Sequence, residues 1–113
     1  METGCIFCNI VFDKKLAEVV KDSDTLLAFK DIKPKAPVHL LIVPKKHVKS
    51  IAELAEEDRG LVSDMVYMAK EITEEQGLNG YQLTVNVGRA GGQIVDHLHL
   101  HLLGGWNELT SCD

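Results

Sequence analysis

The chain contains 113 residues, of which 45% are hydrophobic and 26% are charged, with a formal net charge of −5; this length predicts one domain, residues 1–113, around a modest core. The net acidity and an aromatic content of 5% argue against a nucleic-acid partner. Neither an apolar run of eighteen residues nor a signal-peptide pattern occurs, so we expect no membrane partner and a cytoplasmic location.

Patterns in the first half of the chain predict a short helix followed by three strands. Apolar residues at helical spacing favour a helix over residues 4–12. Segments 17–20 and 25–30 are interpreted as the strands of a hairpin, because Asp22-Ser23-Asp24 between them favours a turn. The aliphatic and β-branched run 38–43 predicts a third strand.

The second half predicts a long helix and two further strands. Apolar residues repeat at helical spacing from Leu61 to Ile72, and Gly77 supplies a C-terminal stop. Residues 81–87 predict a strand, and the glycine-rich loop 88–92 leads into the last strand, 97–103. The order of the elements predicts an α+β fold, with a helix packed on one face of an antiparallel sheet.

The last strand carries the candidate functional site. Its sequence, His-Leu-His-Leu-His-Leu-Leu, alternates strictly, as is typical of a half-buried strand. Alternate side chains share a face, so His97, His99 and His101 stand about 6.6 Å apart along one face and the leucines occupy the other. Each neutral imidazole has one donor and one acceptor to satisfy, so three on a buried face indicate a ligand or a metal.

Two chemistries use histidines at this spacing. Two imidazoles and a third ligand can hold a catalytic zinc ion. Alternatively, a neutral imidazole can attack phosphorus when its other nitrogen is held by an acceptor, while neighbouring imidazoles bind the phosphoryl oxygens. The glycine-rich loop favours the second chemistry, because glycines let backbone amides approach a phosphate, although the same glycines also suit a tight turn.

The residues from His97 to Leu103, with Gly91-Gly92-Gln93 before them and Gly104-Gly105 after, resemble the histidine triad (HIT) signature of the Hint-like branch. The resemblance extends through 27–32, 37–39, 42–47 and Asn86, and so covers most of the chain. It implies an α+β fold: a five-stranded antiparallel sheet with one long helix and a short N-terminal helix. It also implies a homodimer in which two such sheets form one ten-stranded sheet.

The same resemblance implies an enzyme that cleaves nucleoside 5′-phosphoramidates at the α-phosphate, through a covalent nucleotidyl-histidine intermediate and without an organic cofactor. The expected ligand is a nucleoside monophosphate or a nucleotidyl amine. Three alternatives stay open: a zinc metallohydrolase that uses the triad as ligands, a nucleotide-binding regulator with vestigial activity, and a dinucleoside polyphosphate hydrolase.

Site residues follow from the resemblance position by position. His99 matches the nucleophile, His101 the phosphate ligand and His39 a fourth histidine beside the nucleophile. Asp31 matches the acid that binds ribose. The other nucleotide-binding positions are the apolar walls of the base pocket, Ile6, Phe7, Ile10, Phe29, Ile32 and Leu41, and positions beside the phosphate, Asn86, Gly92, Gln93 and Ile94.

Cys5-x-x-Cys8 supplies half of a tetrahedral metal site. Zinc-bearing HIT members use this pattern, and the resemblance implicates His47 and His97 as the remaining ligands of a structural Zn²⁺. Two small side chains on an amphipathic helix, or a redox pair, are the alternatives.

The chain departs from the Hint-like pattern in two places. Ile94 stands where a serine or threonine hydroxyl is usual, so either the donor near the phosphate is missing or Ile94 points into the core and a backbone amide replaces it. The tail after Gly105 is short, and Trp106 either reaches the site of a partner subunit or caps the core.

Overall fold

The computed structural model describes residues 4–107. The elements are helix α1 (Ile6–Phe12), strands β1 (Val19–Asp22), β2 (Leu26–Lys30) and β3 (Val38–Pro44), helix α2 (Arg59–Gln76), and strands β4 (Tyr81–Thr84) and β5 (Leu100–Gly104). They confirm the α+β fold, with every strand pairing antiparallel in one sheet of order β1-β2-β3-β5-β4. Within these residues, no helix is both long and apolar enough to cross a membrane.

The leucine-histidine alternation around β5 divides the core into two layers. Leu98, Leu100 and Leu102 are buried against α2, whose stripe from Met65 to Ile72 is also buried. The opposite face of the sheet carries a smaller apolar cluster, which includes Phe7 of α1. The long helix therefore supports the sheet from behind, and the short helix packs on the face that carries the histidines.

The ends of α2 follow local chemistry. Acidic residues 56–58 precede its first turn, where negative charge is stabilised by the helix dipole. Gly77 adopts a left-handed conformation, with φ of 70°, and its N–H donates to the carbonyls of Thr73 and Glu74. A glycine is favoured here because a Cβ is strained at this φ.

The last two predicted strands are clearly shorter in the structure. β4 ends at Thr84 rather than at residue 87, and β5 begins at Leu100 rather than at His97. In the register that pairs Ile42 with Leu100, the two following pairs would be Val43 with His99 and Pro44 with Leu98. Pro44 has no N–H to donate, and the N–H of Leu98 donates instead to the carbonyl of Val48. The segment 97–99 therefore leaves the sheet while keeping the alternation of its side chains.

Candidate functional site

The five histidines of the chain lie on one side of the sheet. They form a continuous row of contacts in the spatial order His47, His97, His99, His101 and His39. Within residues 4–107, two groups of side chains have ligand atoms that all lie within 4.8 Å of one another. We name the group Cys5, Cys8, His47 and His97 the cysteine cluster, and the group Asp31, His39 and His101 the aspartate cluster. His99 stands between them.

The cysteine cluster brings together the four predicted metal ligands. The Sγ atom of Cys5 is 3.3 Å from Nδ1 of His97, and the Sγ atom of Cys8 is 3.2 Å from Nδ1 of His47. The two Nδ1 atoms are 3.2 Å apart. In a tetrahedral zinc site with the usual bond lengths, any two ligand atoms lie about 3.3–3.8 Å apart. The donor set and its spacing thus fit a divalent metal ion such as zinc.

The protonation of His97 also suits a metal ligand. Its Nε2 atom lies 2.8 Å from the carbonyl of Pro44, so Nε2 carries the proton and donates it. Nδ1, which faces the two sulfurs, therefore keeps its lone pair. Burial lowers the pKa of His97, which keeps the ring neutral. Burial and the neighbouring Cys5 raise the pKa of the Cys8 thiol to about 11, a shift that a bound cation would reverse.

His99 is held by its neighbour in the chain. Its Nδ1 atom lies 2.7 Å from the carbonyl of His97, which can only accept, so Nδ1 carries the proton. Nε2 of His99 therefore has a free lone pair, as a nucleophile requires. The ring is 7% exposed and meets the ring of Phe7 edge to face, with centroids 5.1 Å apart.

The aspartate cluster is a chain of hydrogen bonds. The backbone N–H of Lys35 donates to Nδ1 of His39 over 3.0 Å, so the proton of the neutral His39 ring is on Nε2. That Nε2 lies 3.0 Å from Nδ1 of His101 and 3.4 Å from Oδ2 of Asp31. When His39 donates to His101, the proton of the His101 ring is placed on Nε2.

Both rings of the aspartate cluster are kept neutral. Burial lowers the pKa of His39. Burial, reinforced by the neighbouring His99 and His39, lowers the pKa of His101 to about 4. At neutral pH the His101 ring is therefore a neutral hydrogen-bond donor.

These protons distinguish the two clusters as metal sites. A metal on the aspartate cluster would need a lone pair on Nε2 of His39, where the proton resides. Among residues 4–107, moreover, the three triad histidines do not form one ligand group: His97 belongs to the cysteine cluster and His101 to the aspartate cluster. This geometry does not favour a zinc ion held by the triad itself.

The predicted walls of the base pocket separate into buried and exposed residues. Phe7, Phe29 and Leu41 are buried in the apolar cluster of the histidine face, and Ile10 packs against them. Phe29, Leu41 and His101 are neighbours in one row across three strands. Ile6 and Ile32 are exposed, Ile32 by 87%, so their apolar surfaces are open to a ligand.

The loop before the triad is fixed by its own side chains. Nδ2 of Asn86 donates to the carbonyl of Gly91 over 2.8 Å. Gly92 has φ of 90°, and a Cβ there would lie 3.3 Å from that Nδ2 atom. Gln93 is 2% exposed; its Oε1 accepts from the N–H of Gly88, and its Nε2 donates to the carbonyls of Lys49 and Val95. The Gln93 side chain therefore shapes the loop.

Ile94 is 79% exposed. Of the two alternatives for this residue, the one in which it points into the core is therefore wrong; the buried side chain at this point of the loop is that of its neighbour Gln93. Trp106 is about half-exposed. The tail after Asn107, including Cys112, lies outside the described residues.

Sequence reasoning missed the groups that select the protons of the imidazoles. They are the N–H of Lys35 and the carbonyls of Pro44 and His97. It also missed Arg89, which bonds to the carbonyls of Gln93 and Ile94 and to the carboxylate of Asp96. A signal for Arg89 was available, since it is the only arginine or lysine between residues 71 and 113.

Comparison with known proteins places the chain among relatives of similar length. Residues 4–111 match the family described as scavenger mRNA decapping enzyme C-term binding. A HIT-like protein from Synechococcus elongatus is 41% identical over 106 residues, which are 93% of each chain. A HIT family hydrolase from Legionella pneumophila superposes with a TM-score of 0.88 and 43% identity, over 95% of this chain and 97% of that one. A hypothetical histidine triad nucleotide-binding protein from Sulfolobus tokodaii superposes with a TM-score of 0.80 and 28% identity, over 92% of this chain and 70% of that one.

Proposed function

Since the chain belongs to the histidine triad (HIT) superfamily, we propose that it hydrolyses nucleoside 5′-phosphoramidates, with His99 as the nucleophile. The observation that carries the proposal is the 2.7 Å hydrogen bond from Nδ1 of His99 to the carbonyl of His97. This bond leaves Nε2 unprotonated and orients the ring. The similarity to HIT proteins named as a hydrolase and as nucleotide-binding supports the same class of substrate.

The reaction proceeds in two steps. In the first, the Nε2 lone pair of His99 attacks the α-phosphorus, the P–N bond breaks, and its electron pair leaves with the amine, which takes up one proton. In the second, water attacks the phosphorus, the P–Nε2 bond breaks, and its electron pair returns to His99 as one proton is released. The products are an amine and a nucleoside monophosphate, and the enzyme is regenerated.

His101 and His39 serve the phosphoryl group. The neutral His101 donates its Nε2–H to a phosphoryl oxygen, since its Nδ1 already accepts from His39. His39 is a positioning residue, oriented by the N–H of Lys35. A fixed donor of this kind needs no reorganisation when negative charge accumulates on the oxygens.

The nucleoside is bound by the apolar row beside these histidines. Ile6 and Ile32 offer exposed apolar surface to the base, above the buried Phe7, Phe29 and Leu41. The side chain of Asp31 is 21% exposed, and its carboxylate serves the ribose hydroxyls. Asn86, Gly92, Gln93 and Ile94 border the phosphate, where Gly92 and Gln93 set the course of the backbone.

The cysteine cluster binds a structural zinc ion through Cys5, Cys8, His47 and His97. Four protein ligands close the coordination of zinc, which leaves no position for water or substrate. Bound there, zinc ties α1 to the segment that carries His99. The chemical step is carried out by the histidines on the other side of His97.

The intermediate provides the decisive experiment. Protein mixed with a nucleoside 5′-phosphoramidate and quenched in acid-free denaturant within the first turnovers should carry one nucleotidyl group on His99, found by peptide mass spectrometry. His99→Asn should carry none, and chelated, metal-free protein that stays folded should still form the adduct. Complete loss of turnover in that metal-free protein would favour the metallohydrolase. Nucleotide binding without a burst of amine would favour the regulator.

We also propose a homodimer formed through β4 and α2. β4 lies at an edge of the sheet, with Tyr81 and Leu83 exposed, and α2 exposes Val66 and Tyr67. An exposed apolar edge strand is a template for a second chain. Two copies paired along β4 would form a ten-stranded sheet. Sedimentation velocity should give twice the chain mass, with Leu83→Lys shifting it towards the monomer; a monomeric wild-type protein would contradict the proposal.

A further inference from the structure

The guanidinium of Arg89 forms hydrogen bonds with the loop that precedes the histidine triad. Its Nη1 atom donates to the carbonyl of Gln93 over 2.8 Å and also to the carbonyl of Ile94. Its Nη2 atom donates to Oδ2 of Asp96 over 3.1 Å. One guanidinium thus joins three acceptors, which a planar group with several fixed donors is suited to do.

These hydrogen bonds determine the direction in which the backbone amides of the loop point. In a trans peptide the carbonyl and the N–H of one peptide unit point in opposite directions, and residues 4–107 contain no cis peptide. The carbonyls of Gln93 and Ile94 face Arg89, so the N–H groups of Ile94 and Val95 face away from it. Neither of these N–H groups donates to an acceptor within residues 4–107.

The loop lies against the histidine face. Val95 packs against the apolar cluster that contains Phe7, whose ring contacts His99. The carbonyl of Val95 accepts from the N–H of His97 over 2.9 Å. The two free amides are therefore carried on the segment that leads directly into the nucleophile.

We propose that Arg89 is a positioning residue that presents the amides of Ile94 and Val95 to the oxygens of a bound phosphoryl group. The proposal rests on the function proposed above. The Ile94 side chain has no donor of its own, so the backbone must supply any hydrogen bond made at this position. Asp96 contributes by holding the second edge of the guanidinium in place.

Kinetics on one nucleoside 5′-phosphoramidate test the proposal. Arg89→Ala should lower kcat by about ten- to hundredfold and change KM less than about threefold, since the donors matter mainly in the transition state. Arg89→Lys should recover only part of kcat, because an ammonium lacks the planar fork. Asp96→Asn should have a smaller effect. Arg59→Ala is the matched control and should leave kcat unchanged, since within residues 4–107 the Arg59 side chain pairs only with the exposed Glu56.

Chemical rescue separates positioning from a merely structural role. Guanidinium at a low, non-denaturing concentration should restore part of the kcat of Arg89→Ala. It should not change the kcat of Arg59→Ala. A kcat for Arg89→Ala within twofold of wild type would overturn the proposal. So would a loss of kcat that guanidinium does not restore.

A measurement without turnover keeps this test distinct from that of the proposed function. Adenosine 5′-monophosphate should slow hydrogen exchange at the amides of Ile94 and Val95 in the wild type and in Arg59→Ala, and should do so much less in Arg89→Ala. If the phosphoramidate is not hydrolysed but this pattern appears, the proposed function fails and the role of Arg89 stands. Equal slowing in Arg89→Ala and wild type would refute that role.

Discussion

The cysteine cluster and the aspartate cluster look alike by proximity, since each gathers ligand-type atoms within 4.8 Å. Each also contains a buried histidine whose pKa is lowered by burial, His97 in one and His39 in the other. They differ in the hydrogen bond made by the ring nitrogen that faces away from the cluster. The ring of His97 donates to a carbonyl, whereas the ring of His39 accepts from an amide.

This single difference assigns opposite chemistry to the two clusters. A ring that donates outward presents a lone pair inward and can bind a metal. A ring that accepts outward presents a proton inward and can pass a hydrogen bond along a chain. Proximity alone therefore does not identify a metal site, and the backbone group behind each imidazole has to be considered.

Removal of the proposed nucleophile should have the largest effect, and it should act on catalysis without changing the cysteine cluster. His99→Asn should lower kcat by about 10⁴-fold or more, because no other group forms the covalent bond. Its zinc content should remain that of the wild type, since His99 is outside the cysteine cluster. Steady-state kinetics and metal analysis of one preparation measure both quantities. Residual turnover above about one per cent of wild type would show that His99 is not the nucleophile.

Cys5→Ser should affect the cysteine cluster instead. The wild-type protein should bind about one zinc ion per chain, and this variant should bind none. Serine can still accept the Cys8 N–H that the Cys5 sulfur accepts at the start of α1, so the change in stability reports on the metal. The free energy of unfolding should fall by about 3–4 kcal/mol when free zinc is 100 to 1,000 times Kd. His101→Asn is the control and should retain zinc. Unchanged metal content in Cys5→Ser would show that Cys5 is not a ligand.

Ile94→Ser tests whether the phosphate side of the site lacks a donor. The added hydroxyl should raise kcat by about three- to tenfold with little change in KM, because its interaction is made mainly in the transition state. The gain should be larger in the Arg89→Ala background, where the backbone donors are poorly held. A fall in kcat, in a variant that remains folded, would contradict this expectation.

The smallest expected effect is on the pH dependence of stability. The pKa of His101 is lowered from 6.5 to about 4 in the folded chain. Between these two pH values His101 is protonated in the unfolded chain but not in the folded chain. The free energy of unfolding should therefore decrease as the pH falls through this window. Urea unfolding at pH 6.5 and pH 5 should show a smaller loss for His101→Asn than for wild type. Equal losses would place the pKa of His101 near its ordinary value.

The sequence alone determined the layers of this protein. Leucines and histidines that alternate between His97 and Leu103 must separate onto two faces, and a single long apolar stripe on α2 is available to cover the leucines. The resemblance to the HIT signature also predicted His99, His101 and His39 as site residues, because the residue types and spacing that carry it are properties of the side chains themselves. The Cys5-x-x-Cys8 pair was visible for the same reason, although its partners came only from the resemblance.

Only the tertiary structure decided which ring nitrogen of His39, His97 and His99 carries the proton, and where β5 begins. The groups responsible are the amide of Lys35 and the carbonyls of Pro44 and His97. Pro44 and His97 are 53 positions apart. Every residue except proline carries the same amide and carbonyl, so these groups have no signature in the sequence. Their chemical role arises from position alone, which the packing of the sheet determines.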